Sequence, residues 1–163
     1  MKNFRVKTIL ALVTILTLMF TSCEKDEDSN PSTDSSSSTY IGTWVLEEVE
    51  TYDEQTITTV ATLVLTASTF DMTVTITEGT YTDLIGIKAS LSVSGNQFTI
   101  TPTSIGMGDF ETGEMEWINE GDAGWEDALS EMEIAGPLTA TFKIDGNKMT
   151  LTADGEAEIY TRK

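Results

Sequence analysis

The sequence predicts an all-β domain of about eight antiparallel strands with one short helix, and three observations predict it. Residues 43–162 alternate apolar and polar positions again and again and are rich in Thr, Val, Ile and aromatics, the period of half-buried strands. Gly, Asn and Asp gather between the alternating runs, where tight hairpins need a positive φ. A single stretch around residues 125–132 changes to helical spacing. Strands of this number and length form a sandwich or an up-and-down barrel, and closure into a barrel alone removes both exposed edges.

The chain starts with Lys2, Arg5 and Lys7, an apolar run over residues 9–20, and the small polar pair Thr21-Ser22 ahead of Cys23. The run is short for a bilayer span, and the pair before the cysteine suits a peptidase cutting just ahead of it. This is a bacterial lipoprotein signal: residues 1–22 are expected to leave and Cys23 to carry the lipid. Two or three acyl chains, each buried methylene contributing about 0.8 kcal/mol, would hold the protein firmly to a membrane. Residues 23–39 follow as an acidic and then Ser-rich stretch with nothing large and apolar to bury, so they read as a tether. The cluster Glu24-Lys25-Asp26-Glu27-Asp28 resembles the lipoprotein export signal of Bacteroidetes, which implies the outer face of the outer membrane.

The folded domain is expected over residues 40–163. Residues 44–51 and 57–67 supply the opening pair of strands. Phe70, Met72, Val74 and Ile76 alternate with Asp71, Thr73, Thr75 and Thr77 in the third. Ile87, Ala89, Leu91 and Val93 lead into Ser94-Gly95-Asn96-Gln97 and return through Phe98 and Ile100, a hairpin by its turn chemistry. Leu138, Ala140, Phe142 and Ile144 lead into Asp145-Gly146-Asn147-Lys148 and return through Met149, Leu151 and Ala153. Asp154-Gly155 then turns into the last strand, residues 156–162.

Resemblance selects the barrel over the sandwich. Tyr40-Ile41-Gly42-Thr43-Trp44-Val45-Leu46 resembles the Gly-x-Trp opening of the lipocalin and wider calycin group, in the Gly-Thr-Trp form of bacterial lipocalin-like lipoproteins. The chain end, Ile159-Tyr160-Thr161-Arg162-Lys163, resembles their last strand. The resemblance implies that Arg162 packs over Trp44 and closes one end of the barrel, a cation–π contact of about 0.5–2 kcal/mol. It also implies carriage of a ligand without fixing which one.

Residues 105–136 break the strand pattern, and residues 109–133 hold ten acidic side chains and no basic one. Trp125, Ala128, Leu129 and Met132 fall at i, i+3, i+4 and i+7, which predicts an amphipathic helix of about three turns stopped by Gly136-Pro137. Such a helix could plug or flank the barrel, or lie over its mouth as a lid with Trp125 and Met132 facing the cavity. Asn119, Glu120, Asp122, Glu126 and Asp127 lack the order of an EF-hand loop, so no metal is expected. Nor does any spacing single out a glycosidase-like acid pair.

Histidine is absent, which removes the commonest general base and metal ligand together. With the one cysteine assigned to lipid, His/Cys zinc sites and disulfides are excluded, and no cofactor or catalytic residue is expected. Loss of Lys2, Arg5 and Lys7 takes the formal charge from −18 to about −21, so nucleic acid is not an expected partner. The expected role is binding: a small apolar or amphipathic molecule inside the barrel, with Phe70, Met72, Phe98, Phe142 and Met149 lining the cavity. The alternative is a surface module that engages a protein partner, with a filled barrel as scaffold. Cys23→Ser is predicted to move the protein from the membrane fraction to the soluble fraction, and retention in membranes would contradict the anchor.

Overall fold

The computed structural model describes residues 40–52, 55–108 and 114–163. The signal segment 1–22, Cys23, the tether 23–39 and residues 109–113 of the acidic segment lie outside the described residues. The elements are β1 (Gly42–Tyr52), β2 (Gln55–Leu65), β3 (Thr69–Glu78), β4 (Tyr81–Ser94), β5 (Gln97–Gly108), β6 (Met115–Asn119), α1 (Trp125–Glu131), β7 (Leu138–Asp145), β8 (Lys148–Ala153) and β9 (Glu156–Arg162). Each strand pairs antiparallel with the next around the ring β1-β2-β3-β4-β5-β7-β8-β9, and β9 returns to β1. The domain is a closed eight-stranded up-and-down barrel with one short helix.

Alternation decides which side chains enter the barrel. Trp44 faces Leu63, Leu63 faces Met72, and Met72 faces Ile87 across successive ladders, so these share the inner face. Trp44, Leu63, Leu65, Phe98 and Met149 are at most 1% exposed and form the floor of the core. Phe98 stacks on Phe142 at 4.2 Å between ring centroids, and the Tyr40 ring meets both edge-on. Trp44 donates its indole Nε1–H to the Tyr40 carbonyl at 2.7 Å, which satisfies a donor that burial would otherwise leave unpaired. The Arg162 guanidinium lies 4.4 Å from the Trp44 ring centroid. The hairpins at Gly95 and Gly146 turn on a positive φ of about 60° at the first loop residue, which glycine adopts without the Cβ clash of other residues.

Two features of residues 105–136 depart from the sequence reading. The strand pattern does not stop at Ile105: β5 runs on to Gly108, and β6 pairs with its Ser104–Gly108 stretch to add a ninth strand. The alternation is hidden because apolar or small residues stand on both faces, with Ile105, Met107 and Ile118 inward beside Glu116 and Gly106, Gly108, Met115 and Trp117 outward. The two glycines are required by close packing, since a Cβ on Gly106 would sit 2.3 Å from the Met115 sulfur and one on Gly108 2.4 Å from the Leu84 Cβ. A bulge precedes this extension: Ala89 faces Pro102 and Lys88 faces Ser104, leaving Thr103 without a partner on β4. The extra residue keeps Pro102 and Ile105 on the inner face, and it falls where β5 changes its other neighbour from β7 to β6.

The helix is the second departure. It spans seven residues, two turns where the spacing predicts three. Glu133 takes φ 56°, its N–H bonds the Ser130 carbonyl, and the Ile134 N–H bonds the Leu129 carbonyl at 2.9 Å, a Schellman stop that acts before Gly136 is reached. A left-handed glutamate at a helix C-terminus is doubly unfavourable, through its Cβ and through its charge against the helix dipole. Glu133→Gly is therefore predicted to stabilise the domain by about 1 kcal/mol in chemical denaturation. Phe98→Ala, which empties a fully buried aromatic position, is predicted to destabilise it by about 3–5 kcal/mol.

Candidate functional site

The strands are unequal, and the inequality makes a cup. β7 reaches only Leu138, opposite Ile100, while β5 continues eight residues further to Gly108. β1 to β4 likewise run past the buried floor, with Glu156 and Glu158 of β9 level with Glu50 and Glu48 of β1. Successive rows of this extension can be read from the register. Leu46, Ala61, Val74, Ile85 and Met107 make one row, and Glu48, Thr59, Ile76 and Asp83 make the next. Val74, Ile76, Ile85 and Met107 are only half-buried. On the β5–β6 side the inner face is covered: α1 packs Trp125 and Ala128 on Ile105, with Ile118, Leu129 and Met132 around them.

The opposite side of the cup is the seam between β1 and β9. Its ladder consists of Trp44 with Arg162 and Val45 with Thr161, whereas β1 pairs with β2 along its whole length. Continued in the same register, the seam would set Glu48 against Glu158 and Glu50 against Glu156 on the inner face. Like charges directly opposite across a ladder are destabilising, which accounts for pairing that ends after two residues. Partial burial pushes the Glu48 carboxyl above its usual range, and the charges of Glu158 and Glu50 push it further the same way. Tyr160, buried below them, donates its hydroxyl to Glu158 Oε2 at 2.6 Å. Burial first, and then the Glu158 charge, hold that phenol well above the ordinary tyrosine range, so it remains a donor at any physiological pH.

The seven side chains predicted to contact a ligand fall into two groups. Phe70, Phe98 and Met149 are buried in the floor, and Met72 and Phe142 pack half-buried against it. Trp125 and Met132 belong to the separate cluster under α1. Val74 packs half-buried on the floor like Met72, and the inner face beyond it is Ile76, Ile85 and Met107, with Glu48, Glu50, Asp83, Glu116 and Glu158 on the same face. Ile76 belongs to an alternating run in the sequence, but only the strand ends distinguish it from core. In the acidic segment, the Asp122 carboxylate accepts bonds from the Asn119 backbone N–H at 2.9 Å and side-chain amide at 3.0 Å, and these hold its pKa below the usual range. It shapes the turn into α1. Among the described residues no three His, Cys, Asp or Glu side chains converge to hold a metal ion. A surface groove of about 370 Å³ runs beside α1, lined by Glu126, Leu129, Ser130, Glu133, Ile134 and Ala135.

No protein-family model matches the chain, and no curated protein matches it. Among solved structures it is similar to a porin-like protein from Bacteroides uniformis, with 16% identity and a TM-score of 0.28 over 73% of this chain. The chain spans 49% of that protein's length.

The raised Glu48 pKa has a defined sign. The folded state binds its proton more tightly than the unfolded chain, so stability falls as pH rises from the ordinary carboxylate value of 4.5 through the raised one. Glu48→Gln is predicted to be more stable than the wild type at pH 7, by less than about 1 kcal/mol because the group is well solvated, with the difference vanishing below pH 4.5 in thermal melts.

Proposed function

We propose that this is a membrane-anchored, lipocalin-like binding protein that holds a small apolar or amphipathic molecule in the open half of its barrel. The observation that carries the reading is the inner face above the floor, where Ile76, Ile85 and Met107 stay half-buried and β5 runs eight residues past the start of β7. Apolar side chains that face into a barrel and remain in contact with water form the kind of concave surface that small ligands fill. The lipid anchor is supported by the pattern ending at Cys23, and the outer-membrane, cell-surface address by the acidic cluster that follows it. The lipocalin-like reading is supported by Trp44 at the start of β1 with Arg162 of the last strand over its ring. Binding rather than catalysis is supported by the absence of histidine from the whole sequence.

A specific observation also favours a protein-interaction module: the other half of the barrel is filled, with Trp44 and Phe98 fully buried, as a scaffold would be. Native mass spectrometry of the full chain from a lipid-rich host separates the two. Carriage predicts a retained apolar molecule that denaturing extraction releases, and that Ile76→Glu loses. A clean apo mass, unchanged on incubation with host lipid extract, would contradict carriage and favour the scaffold reading.

A further inference from the structure

The charge of the domain is divided along the barrel axis. Turns at residues 66–68, 95–96 and 146–147 mark the floor end, and turns at residues 79–80 and 154–155 mark the cup end. Among the described residues, every acidic side chain lies in the segment 114–133, in the turn at 154–155 or on the cup half of its strand, except Glu47 at the middle of β1 and Asp71 and Asp145 near the floor. No basic side chain among the described residues lies on the cup half. Lys143 and Lys148 flank the floor turn at residues 146–147, Arg162 and Lys163 stand at the floor end of β9, and Lys88 is at the middle of β4 beside Trp117. The two floor carboxylates each face a lysine across a ladder, Asp145 with Lys148 and Asp71 with Lys88.

The basic group also lies where the tether joins the domain. The Arg162 N–H bonds the Asn147 carbonyl at 2.7 Å and the Lys163 N–H bonds the Thr43 carbonyl at 3.0 Å, which draws the β7–β8 turn and the start of β1 to one place. Tyr40 packs its ring on Phe142, the neighbour of Lys143 in the chain. Residues 24–39 thus lead from Cys23 to the basic end of the barrel.

We infer that the barrel stands on its floor end against anionic lipid headgroups, through Lys143, Lys148 and Lys163, and opens its cup away from the membrane that holds it. The inference rests on the anchored reading above and adds an orientation, in which a ligand enters the cup from the aqueous side. A lysine at an anionic bilayer surface favours contact by about fivefold. That field decays within about 8 Å at physiological salt, whereas strands of the length of β3 set the cup rim roughly 30 Å from the floor. The lysines therefore feel the surface when the barrel stands on its floor, and the cup carboxylates feel it only when the barrel tips over, where it repels them. A tether alone fixes where the domain sits and not how it is turned.

The test is methyl nuclear magnetic resonance of the full chain, lipidated at Cys23, in nanodiscs of equal parts phosphatidylcholine and phosphatidylglycerol with a trace of gadolinium-chelate lipid that broadens nearby methyl signals. Val64, Val93 and Ile144 at the floor are predicted to broaden, and Ile57, Ile76 and Met107 at the cup to stay sharp. In nanodiscs of phosphatidylcholine alone the two ends broaden alike. The Lys143→Gln/Lys148→Gln/Lys163→Gln variant changes exposed positions, and its methyl spectrum reports that it is folded. Its loss of three charges lowers the floor-down preference by on the order of a hundredfold, so its two ends broaden alike as well. Equal broadening of both ends by the wild type in the anionic discs, or stronger broadening at the cup, overturns the orientation while leaving the anchor standing. A contrast that persists in phosphatidylcholine or in the triple variant also overturns it, because charge would then not be the cause. No broadening at either end, with the chain free in solution, overturns the anchor and the orientation with it.

Discussion

Closure of the first strand on the last is the constraint on which the rest of this structure depends. An up-and-down barrel has one ladder that no hairpin turn enforces, and here it is two residue pairs long. Those pairs are secured from both sides: Trp44 is fully buried inward with its indole N–H satisfied by Tyr40, and Arg162 lies over its ring. Tyr40 in turn meets the stacked Phe98 and Phe142 rings, which ties the seam to the core of the β5–β7 side. Further along, carboxylates face carboxylates and the strands separate.

The barrel therefore has two halves with different physics. At the closed end, large side chains such as Trp44, Phe98 and Met149 are fully buried, and loss of volume there costs stability. At the other end, the β1–β4 meander and the β5–β6 pair continue past the floor, and the inner face at Ile76, Ile85 and Met107 is only half-buried. Helix α1 covers the part over Ile105 and Ile118, leaving β2, β3 and β4 uncovered. Substitutions in the first half act on folding, and substitutions in the second change an inner face that water reaches. Stability is marginal, and residues of that face can vary without drawing on the packing that keeps the fold.

Much of this was legible in the sequence. The eight barrel strands follow from period-two alternation in runs such as residues 70–77 and 138–144, and the hairpins from Gly95 and Gly146. β6 was not legible, because Trp117 and Ile118 are adjacent apolar residues on opposite faces, which breaks the alternation that Met115, Glu116 and Trp117 begin within only five residues. The spacing predicts the helix one turn too long, since a glutamate in a glycine's conformation gives no stop signal. The candidate site was half legible. Alternation identifies the inward side chains except across the bulge at Thr103, but whether Phe98 or Ile76 lies in the filled or the open half depends on strand ends and closure, which are properties of the ladder register rather than of any local pattern. Glu48 and Glu158 lie more than a hundred residues apart in the chain, and only the closure of β9 on β1 makes them neighbours.

The most direct test of a filled floor beneath an open cup is methyl nuclear magnetic resonance of the full chain in nanodiscs, with Met, Ile, Leu and Val methyls labelled and hexanol added as a small apolar probe. The account predicts shifts at Ile76, Ile85 and Met107 and none at Leu63, Leu65 and Met149. Shifts concentrated on Leu63, Leu65 and Met149, with Ile76 and Ile85 unmoved, would contradict it.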